Sequence, residues 1–287
     1  MRIVDAQVHV WGADTSERPW PRGGNPKPHR EVPWTAAELV AGMDAAGVDA
    51  AVIVPPGWEG ERNDLALAAV AQYPGRFAVM GRFDPLMRNP FDVFERWRDQ
   101  PGMLGVRFTF HSARGGALLL EPAMASVWAA AERHQIPLMI RALPPMLPVV
   151  ADIATRHPGL KLALDHLAIP QGATDGAAFA HLPALIDLAR HPNVALKATC
   201  MPAYTTDPFP HAALHAPLRA IVDAYGPDRV FWGSDVSRLP GTYRDNVLQW
   251  TAHMPWLDRA SIESIMGGAL CQWLGWPPSP QQQQAPS

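Results

Sequence analysis

Short apolar runs rich in β-branched residues alternate along this chain with longer segments in which apolar residues recur at helical spacing. The short runs lie at residues 3–8, 50–54, 77–81, 105–110, 137–140, 161–164, 194–197 and 229–232. The helix-like segments lie at residues 35–46, 63–73, 90–99, 122–134, 147–157, 182–191, 214–225 and 243–253. Short apolar runs bounded by turn residues are typical of buried strands, and an i, i+3, i+4 spacing is typical of helices.

A strand followed by a helix, repeated eight times along the chain, predicts a (β/α)8 TIM barrel of the α/β class. No linker or change of composition divides residues 1–276, so we expect a single barrel domain there. Residues 261–274 predict one further helix packed on the barrel. Residues 277–287, which are rich in proline and glutamine, predict a disordered low-complexity tail.

The composition of the chain limits the kinds of partner that the protein is expected to bind. A net charge of −3 argues against the basic surface that nucleic acids or anionic membranes require. The two cysteines, Cys200 and Cys271, are too few for a disulfide framework and fit a reducing compartment. The charged start of the chain and the absence of a long apolar segment predict a soluble, cytoplasmic protein acting on a small molecule, without a nucleic-acid or membrane partner. The oligomeric state is left open.

Polar residues collect where the predicted strands end. In a TIM barrel the active site lies at the carboxyl ends of the strands, so side chains at these positions are candidates for chemistry. A single polar residue there is often only a loop residue, but several at matching strand ends are harder to explain in that way. The candidates are Gln7, His9, Arg107, Arg114, Arg141, His166 and Asp235.

Three segments of the chain resemble the amidohydrolase superfamily. They are residues 5–11 (DAQVHVW), residues 164–168 (LDHLA) and residues 226–235 (GPDRVFWGSD). Together they are similar to the amidohydrolase-related barrel hydrolases that include 2-pyrone-4,6-dicarboxylate lactonases and sugar lactonases, over residues 3 to about 276. The resemblance implies that Asp235 takes a proton from the attacking water and that His166 lies near the substrate carbonyl. It also implies that Arg107 binds a substrate carboxylate.

The chain departs from this family's metal-binding pattern. Metal-dependent members use two strand-1 histidines, commonly a lysine or histidine on strand 5, and the strand-8 aspartate, whereas this chain has Gln7, His9 and Arg141 at the first three positions. An amide is a poor zinc ligand, and a protonated guanidinium has no lone pair to offer an ion. We therefore expect no cofactor, although His9, His166 and Asp235 could hold zinc or manganese weakly in an open site.

Catalysis without a metal is chemically reasonable for a lactone or an activated ester. Asp235 would act as the general base, with His9, His166 and Gln7 as hydrogen-bond donors to the oxyanion. Arg107, Arg114 and Arg141 would bind an anionic group on the substrate, with a salt bridge at the barrel mouth as the alternative role of Arg107.

Two loops are expected to complete the pocket. Residues 12–32 predict either a binding loop or a solvated flexible segment, with Arg18 contributing to a positive rim. Trp58 follows strand 2 and is placed to stack on a substrate ring.

Three functions agree with these features. The first is a hydrolase that opens a lactone or an activated ester of a small, carboxylated ring. The second is a metal-dependent carbon–carbon lyase similar to aromatic-acid decarboxylases of the same superfamily. The third is a binding protein on a barrel that has lost its activity, against which the presence of His9, His166 and Asp235 argues.

Overall fold

The protein is an eight-stranded parallel barrel with its strands in sequential order, which confirms the predicted (β/α)8 architecture. The computed structural model describes residues 1–22, 28–86, 89–111 and 113–276, with the side chains of Ala113 and Arg114 excepted. The predicted tail at 277–287 lies outside the described residues. The strands are β1 Val4–Val8, β2 Ala50–Ile53, β3 Phe77–Gly81, β4 Met103–Thr109, β5 Leu138–Arg141, β6 Leu162–Leu164, β7 Val194–Thr199 and β8 Val230–Gly233.

Helices follow the strands on the outside of the barrel. They are α1 Ala36–Ala46, α2 Asp64–Gln72, α3 Pro90–Glu95, α4 Ala113–Leu119, α5 Pro122–Arg133, α6 Leu147–Arg156, α7 Asp175–Ala178, α8 Leu182–Asp187, α9 His215–Tyr225, α10 Tyr243–Thr251, α11 Arg259–Glu263 and α12 Ala269–Leu274. The short helices α4 and α7 lie in the loops after β4 and β6 and were not predicted, because each is too short to show a helical period. The predicted helices 90–99 and 182–191 each end in a separate 3-10 turn.

The barrel closes where β8 meets β1. The backbone N–H of Asp235 donates to the carbonyl of Gln7 at 2.9 Å, and Asp5 accepts hydrogen bonds from the backbone and hydroxyl of Ser234. The hydroxyl of Tyr243 donates to the same carboxylate at 2.6 Å. Gly233 is required at this seam, because a Cβ there would lie 2.5 Å from Cγ2 of Thr199. The residues on either side of the seam, Gln7 and Asp235, are therefore held at one mouth of the barrel.

The lower part of the barrel is apolar and closed by the C-terminal helices. Small and flexible side chains such as Ala50, Met80 and Met139 fill its interior, together with Leu270 of α12. The predicted helix 261–274 is present but is interrupted by a π-helical turn at Ser264–Gly268. At Gly267, with φ +157°, a Cβ would lie 2.8 Å from the backbone nitrogen of Val4, so the turn lets the C-terminal segment approach β1 closely. Within the described ranges, no helix is long and apolar enough to cross a membrane.

Candidate active site

Two candidate residues at the open end of the barrel sit in the left-handed region of backbone conformation. His166 has φ +53° directly after β6, and Asp235 has φ +49° directly after β8. Residues other than glycine adopt this conformation at a cost of about 1–3 kcal/mol, and such strain is concentrated at functional sites. Besides these two candidates, six other non-glycine residues of the described part also have positive φ, among them Leu167, Ala168 and Cys200.

His9 and Asp235 form the centre of the site. Nε2 of His9 lies 3.2 Å from Oδ1 of Asp235, and both side chains are buried. Nδ1 of His9 lies 2.6 Å from the carbonyl oxygen of Val54, and because a carbonyl can only accept, this nitrogen carries the proton. In a neutral ring the single lone pair is then on Nε2. Donation from His9 to an oxyanion, as expected from the sequence, would require a second proton on Nε2.

The second oxygen of Asp235 is held by an arginine that sequence reasoning did not identify. Nε of Arg238 donates to Oδ2 at 2.5 Å, and Nη2 donates to the hydroxyl of Tyr204 at 2.6 Å. Oδ1 of Asp235 is buried and makes no hydrogen bond with the described residues, although Nε2 of His9 lies 3.2 Å away. Burial raises the pKa of this carboxyl, but Arg238 and His9 outweigh burial and hold the pKa well below its usual value of 3.8. Asp235 is therefore ionised, with Oδ2 bound by Arg238 and Oδ1 facing Nε2 of His9.

His166 lies on the other side of Asp235. Its Nε2 is 3.8 Å from Oδ2 of Asp235, and its Nδ1 is 2.6 Å from the hydroxyl of Thr199. Nη2 of Arg238, which can only donate, and the carbonyl oxygen of Thr199, which can only accept, both lie 3.4 Å from the same Nδ1. Burial, followed by the charge of Arg238, lowers the pKa of His166 well below 6.5, so the ring is neutral. In the tautomer in which Nδ1 accepts from the hydroxyl of Thr199 and from Arg238, the proton is on Nε2 and His166 is a hydrogen-bond donor toward the site.

Gln7 ends a chain of buried polar contacts that crosses the barrel. Nζ of Lys197 donates to Oε1 of Gln7 and lies 2.9 Å from Oδ1 of Asp165. Nε of Arg107 donates to Oδ2 of Asp165 at 2.9 Å. Nε2 of Gln7 lies 3.2 Å from Nε2 of His9, so the amide N–H donates to the imidazole. Arg107 therefore does form the salt bridge that was its alternative role.

Arg141 and His111 present unused hydrogen-bonding groups at the mouth. Nη2 of Arg141 donates to the carbonyl of Ile169 at 2.7 Å, whereas its Nη1 is buried without a hydrogen-bond partner in the part of the chain that the structure describes. Nδ1 of His111 is also buried without a partner, and burial followed by the charge of Arg141 lowers the pKa of this imidazole to about 4. A buried guanidinium with an unsatisfied N–H is suited to an anionic or carbonyl group of a ligand. The side chain of Arg114 lies outside the described part of the structure.

Aromatic rings cover one side of the centre. The ring of Trp58 lies 6.1 Å from that of His9, 5.4 Å from that of Trp11 and 4.9 Å from that of His29, measured between centroids. His29 belongs to the loop after β1, and its Nδ1 lies 2.7 Å from the hydroxyl of Ser237. Trp58 therefore lies beside His9, and its side chain is buried.

The loop after β1 is tied down by ion pairs in the part that the structure describes. Arg18 donates to Glu59 at 2.7 Å and to Asp64 at 2.6 Å, and the backbone N–H of Gly12 also donates to Glu59. The expectation that Arg18 contributes to a positive rim is wrong, because its guanidinium group is paired with these two carboxylates. The clamp holds the first part of the loop close to the short turn that carries Trp58.

The donor set at the centre can accommodate a divalent ion. Ligand atoms of His9, His29 and Asp235 all lie within 4.8 Å of one another. The free Oδ1 of Asp235 and the anchoring of His9 Nδ1 on a carbonyl are both typical of metal ligands. Three ligands are the number found in open, catalytic zinc sites. The loop residue His29 is the additional donor, and His166 lies farther out, on the Oδ2 side of Asp235.

Only some of the site residues that sequence reasoning missed can be recognised from a pattern in the sequence. Arg238 follows Asp235 by three residues, a spacing that lets a side chain fold back on its neighbour in a turn. Lys197 was visible as a lysine inside an otherwise apolar strand, a position where a charge needs a buried partner. His29 lies in a long loop without periodicity, and nothing in the sequence places it against His9.

The chain matches the family model described as amidohydrolase over residues 4–285. It belongs to the amidohydrolase family. This confirms the resemblance based on residues 5–11, 164–168 and 226–235, and it makes the protein a hydrolase.

The amidohydrolase has relatives with named activities. It is 28% identical to the L-fucono-1,5-lactonase of Burkholderia ambifaria over 287 residues, covering 94% of both chains. An amidohydrolase from Burkholderia multivorans with bound zinc has a similar fold, with a TM-score of 0.79, 22% identity and coverage of 96% of this chain and 100% of the other.

Two further solved structures share the fold at lower identity. A probable 2-pyrone-4,6-dicarboxylic acid hydrolase from Acinetobacter baumannii with bound citric acid has a TM-score of 0.77 and 16% identity, covering 96% of this chain and 100% of the other. The 5-carboxyvanillate decarboxylase of Sphingomonas paucimobilis has a TM-score of 0.67 and 19% identity, covering 96% and 99%. At these identities the similarity establishes the barrel fold alone.

Proposed function

We propose that this amidohydrolase opens the ring of a small lactone that carries an anionic group, using water activated by Asp235. The observation that carries the proposal is the state of Asp235: it is ionised, its Oδ2 is fixed by Arg238, and its Oδ1 is buried 3.2 Å from Nε2 of His9, without a hydrogen bond from the described residues. The relative named as a lactonase supports a cyclic ester as the substrate.

In the first step Asp235 removes a proton from a water molecule as the water oxygen attacks the lactone carbonyl. Oδ1 is the oxygen that can accept this proton, because Oδ2 already accepts from Arg238. General-base catalysis of this kind contributes about 10²–10⁴-fold to the rate.

The carbonyl oxygen becomes an oxyanion in the tetrahedral intermediate and needs hydrogen-bond donors. The N–H at Nε2 of His166 is one donor, and the second hydrogen on the amide nitrogen of Gln7 is another. Each preorganised donor of this type is worth about 3 kcal/mol. Since His166 stays neutral at ordinary pH, it can act in this way without a change of charge.

Breakdown of the intermediate restores Asp235. The ring C–O bond breaks, the leaving oxygen takes the proton that Asp235 had accepted, and the product is a hydroxy acid. A carboxylic acid whose pKa is held low is a weak base and a strong acid. It suits a lactone, whose leaving oxygen accepts the proton readily, better than an unactivated amide.

The charge of the site favours an anionic substrate. Four cationic side chains, Arg107, Arg141, Lys197 and Arg238, lie buried or half-buried at and below the mouth, together with the buried carboxyl groups of Asp5, Asp165 and Asp235. The unpartnered Nη1 of Arg141 is the group we assign to a substrate carboxylate. The steps above use only side chains of this chain. A divalent ion, if bound, would be held by His9, His29 and Asp235 and would supply Lewis-acid polarisation and a more acidic water.

A panel of small lactones tests the proposal. Neutral sugar 1,5-lactones and carboxylated lactones are incubated with the purified protein, and proton release is followed at constant pH. We expect turnover that is lost in Asp235→Asn, with carboxylated lactones preferred. Release of carbon dioxide from aromatic acids, without any lactone opening, would contradict the proposal and support the lyase function instead.

A further inference from the structure

Lys197 lies inside the barrel, fully buried, below the site just described. Its ammonium group contacts Oε1 of Gln7, Oδ1 of Asp165 at 2.9 Å and the sulfur of Met139 at 3.3 Å. None of these contacts reaches a substrate. Lys197 can affect the reaction only through a neighbour, and Gln7 is the neighbour that faces the site.

We propose that Lys197 is a positioning residue that orients and polarises the amide of Gln7, so that Gln7 acts as a charge-assisted oxyanion donor. The proposal rests on the lactonase function proposed above. In this proposal the buried ammonium group of Lys197 stabilises the oxyanion electrostatically by acting on the amide of Gln7.

The orientation of the amide follows from hydrogen-bonding chemistry. An amide side chain can point either its oxygen or its NH2 group at a given neighbour, and the two orientations differ little in shape. An ammonium group can only donate, so Lys197 selects the orientation with Oε1 turned down toward it. The NH2 group then faces upward, where one hydrogen reaches the lone pair of His9 at an N–N distance of 3.2 Å. Without Lys197 this selection would be lost.

Polarisation is the second effect. A cation that donates to the oxygen of an amide draws electron density from its nitrogen and strengthens the N–H groups as donors. Lys197 is shielded from water, so its field acts on Gln7 with little screening. Asp165 lies on the far side of the ammonium from Gln7 in this chain of contacts and is shared with Arg107. The negative charge of Asp165 compensates the positive charge of the buried Lys197.

A purely structural role is the competing explanation. Lys197 could serve only to neutralise Asp165 in the barrel interior. In that case its removal would lower the free energy of unfolding and impair activity to the same degree whatever residue occupies position 7.

A double-mutant cycle separates the two explanations. The variants are Gln7→Met, Lys197→Met and the double variant, assayed by kcat and KM on the best lactone of the panel. We expect Gln7→Met to lower kcat about 100-fold, as for loss of an oxyanion donor. Lys197→Met should lower kcat at least about tenfold with little change of KM, but by less than about twofold in the Gln7→Met background. Equal losses in both backgrounds would overturn the proposal.

Gln7→Glu provides a second test of the proposal if the Lys197→Met variant does not fold. A carboxylate at position 7 can pair with Lys197, so the melting temperature should be maintained while kcat falls about 100-fold through loss of the donor. Retention of kcat in Gln7→Glu would contradict the proposal. Gln249→Met is the matched control, since Gln249 is a buried glutamine on α10 without hydrogen-bond partners. It should leave kcat unchanged.

A spectroscopic readout does not depend on activity. With ¹⁵N-labelled glutamine, the NH2 signal of Gln7, assigned by its loss in Gln7→Met, should show two well-separated proton shifts and slow exchange. In Lys197→Met these proton shifts should converge and exchange should accelerate. If the NH2 signal does not move, the proposal fails. If it moves but no lactone is opened, the proposed function fails while the oriented amide stands.

Discussion

Nε2 of His9 and Oδ1 of Asp235 face each other at 3.2 Å across the seam between β1 and β8. Both side chains are buried, so this is a place where a proton or a cation can be held between an imidazole nitrogen and a carboxylate oxygen. In the reaction proposed here, the proton is the one that leaves the attacking water. The neighbouring hydrogen-bond donors are each oriented by a second polar partner. Lys197 contacts the amide oxygen of Gln7, and the hydroxyl of Tyr204 accepts from Arg238.

Asp235→Asn should fold normally and lose at least about 10³ in kcat, because an amide cannot accept the proton of water. The measurement is proton release from a lactone, with the melting temperature as the test of folding. Asp223→Asn is the matched control, because Asp223 is exposed on α9 and pairs only with Arg219 at 3.8 Å. Substantial activity in Asp235→Asn would remove Asp235 from the mechanism.

Arg141→Met should raise KM for carboxylated lactones about 30-fold and spare neutral lactones, since a charge-assisted hydrogen bond is worth about 2 kcal/mol. The structure moves this expectation to Arg141 because its Nη1 has no partner. Arg107→Met should instead lower stability and impair both substrate types, because it leaves Asp165 with a single cationic partner. A selective loss in Arg107→Met and an equal loss in Arg141→Met would reverse the two assignments.

Chelation should leave lactone hydrolysis nearly unchanged. The amide of Gln7 already donates to Nε2 of His9, and the charges of Lys197 and Arg238 oppose a divalent ion at the centre. Elemental analysis and activity after exhaustive chelation are the measurements.

Stoichiometric zinc or manganese, with activity lost on removal and regained on addition, would contradict the metal-free mechanism and favour the lyase alternative. His29→Asn distinguishes the sites in that case. It should release the ion if His9, His29 and Asp235 hold it, and should retain the ion if His166 takes the place of His29.

Asp165 should make folding sensitive to acid. Burial raises the pKa of this carboxyl, but Lys197 and Arg107 outweigh burial and hold the pKa well below 3.8. A carboxyl with a lowered pKa in the folded state stabilises the protein above the pKa of the unfolded chain, and this contribution is lost as the pH falls. The free energy of unfolding should therefore decrease below about pH 4. In Asp165→Asn this decrease should be shallower, and an identical slope between pH 2 and 5 would contradict the assignment.

The alternation of apolar segments was sufficient to predict the fold. A run such as residues 77–81 is short, apolar and rich in residues that favour strands, and it became β3 with the same bounds. Where the prediction failed, local forces were too weak to leave a signal, as in the short helices α4 and α7. The identity of the strand-end residues was also readable, because the barrel topology puts every carboxyl end at one mouth.

The roles of those residues were decided by tertiary contacts. The sequence determined that Gln7, His9, His166 and Asp235 meet at the mouth of a barrel, since hydrophobic periodicity and strand order are properties of the chain itself. Only the folded structure determined three contacts. The carbonyl of Val54 faces Nδ1 of His9, Arg238 donates to one oxygen of Asp235, and Lys197 donates to the amide oxygen of Gln7. Hydrogen-bond direction and proton position depend on the atoms within about 3 Å of a group, and those atoms come from strands and loops distant in sequence.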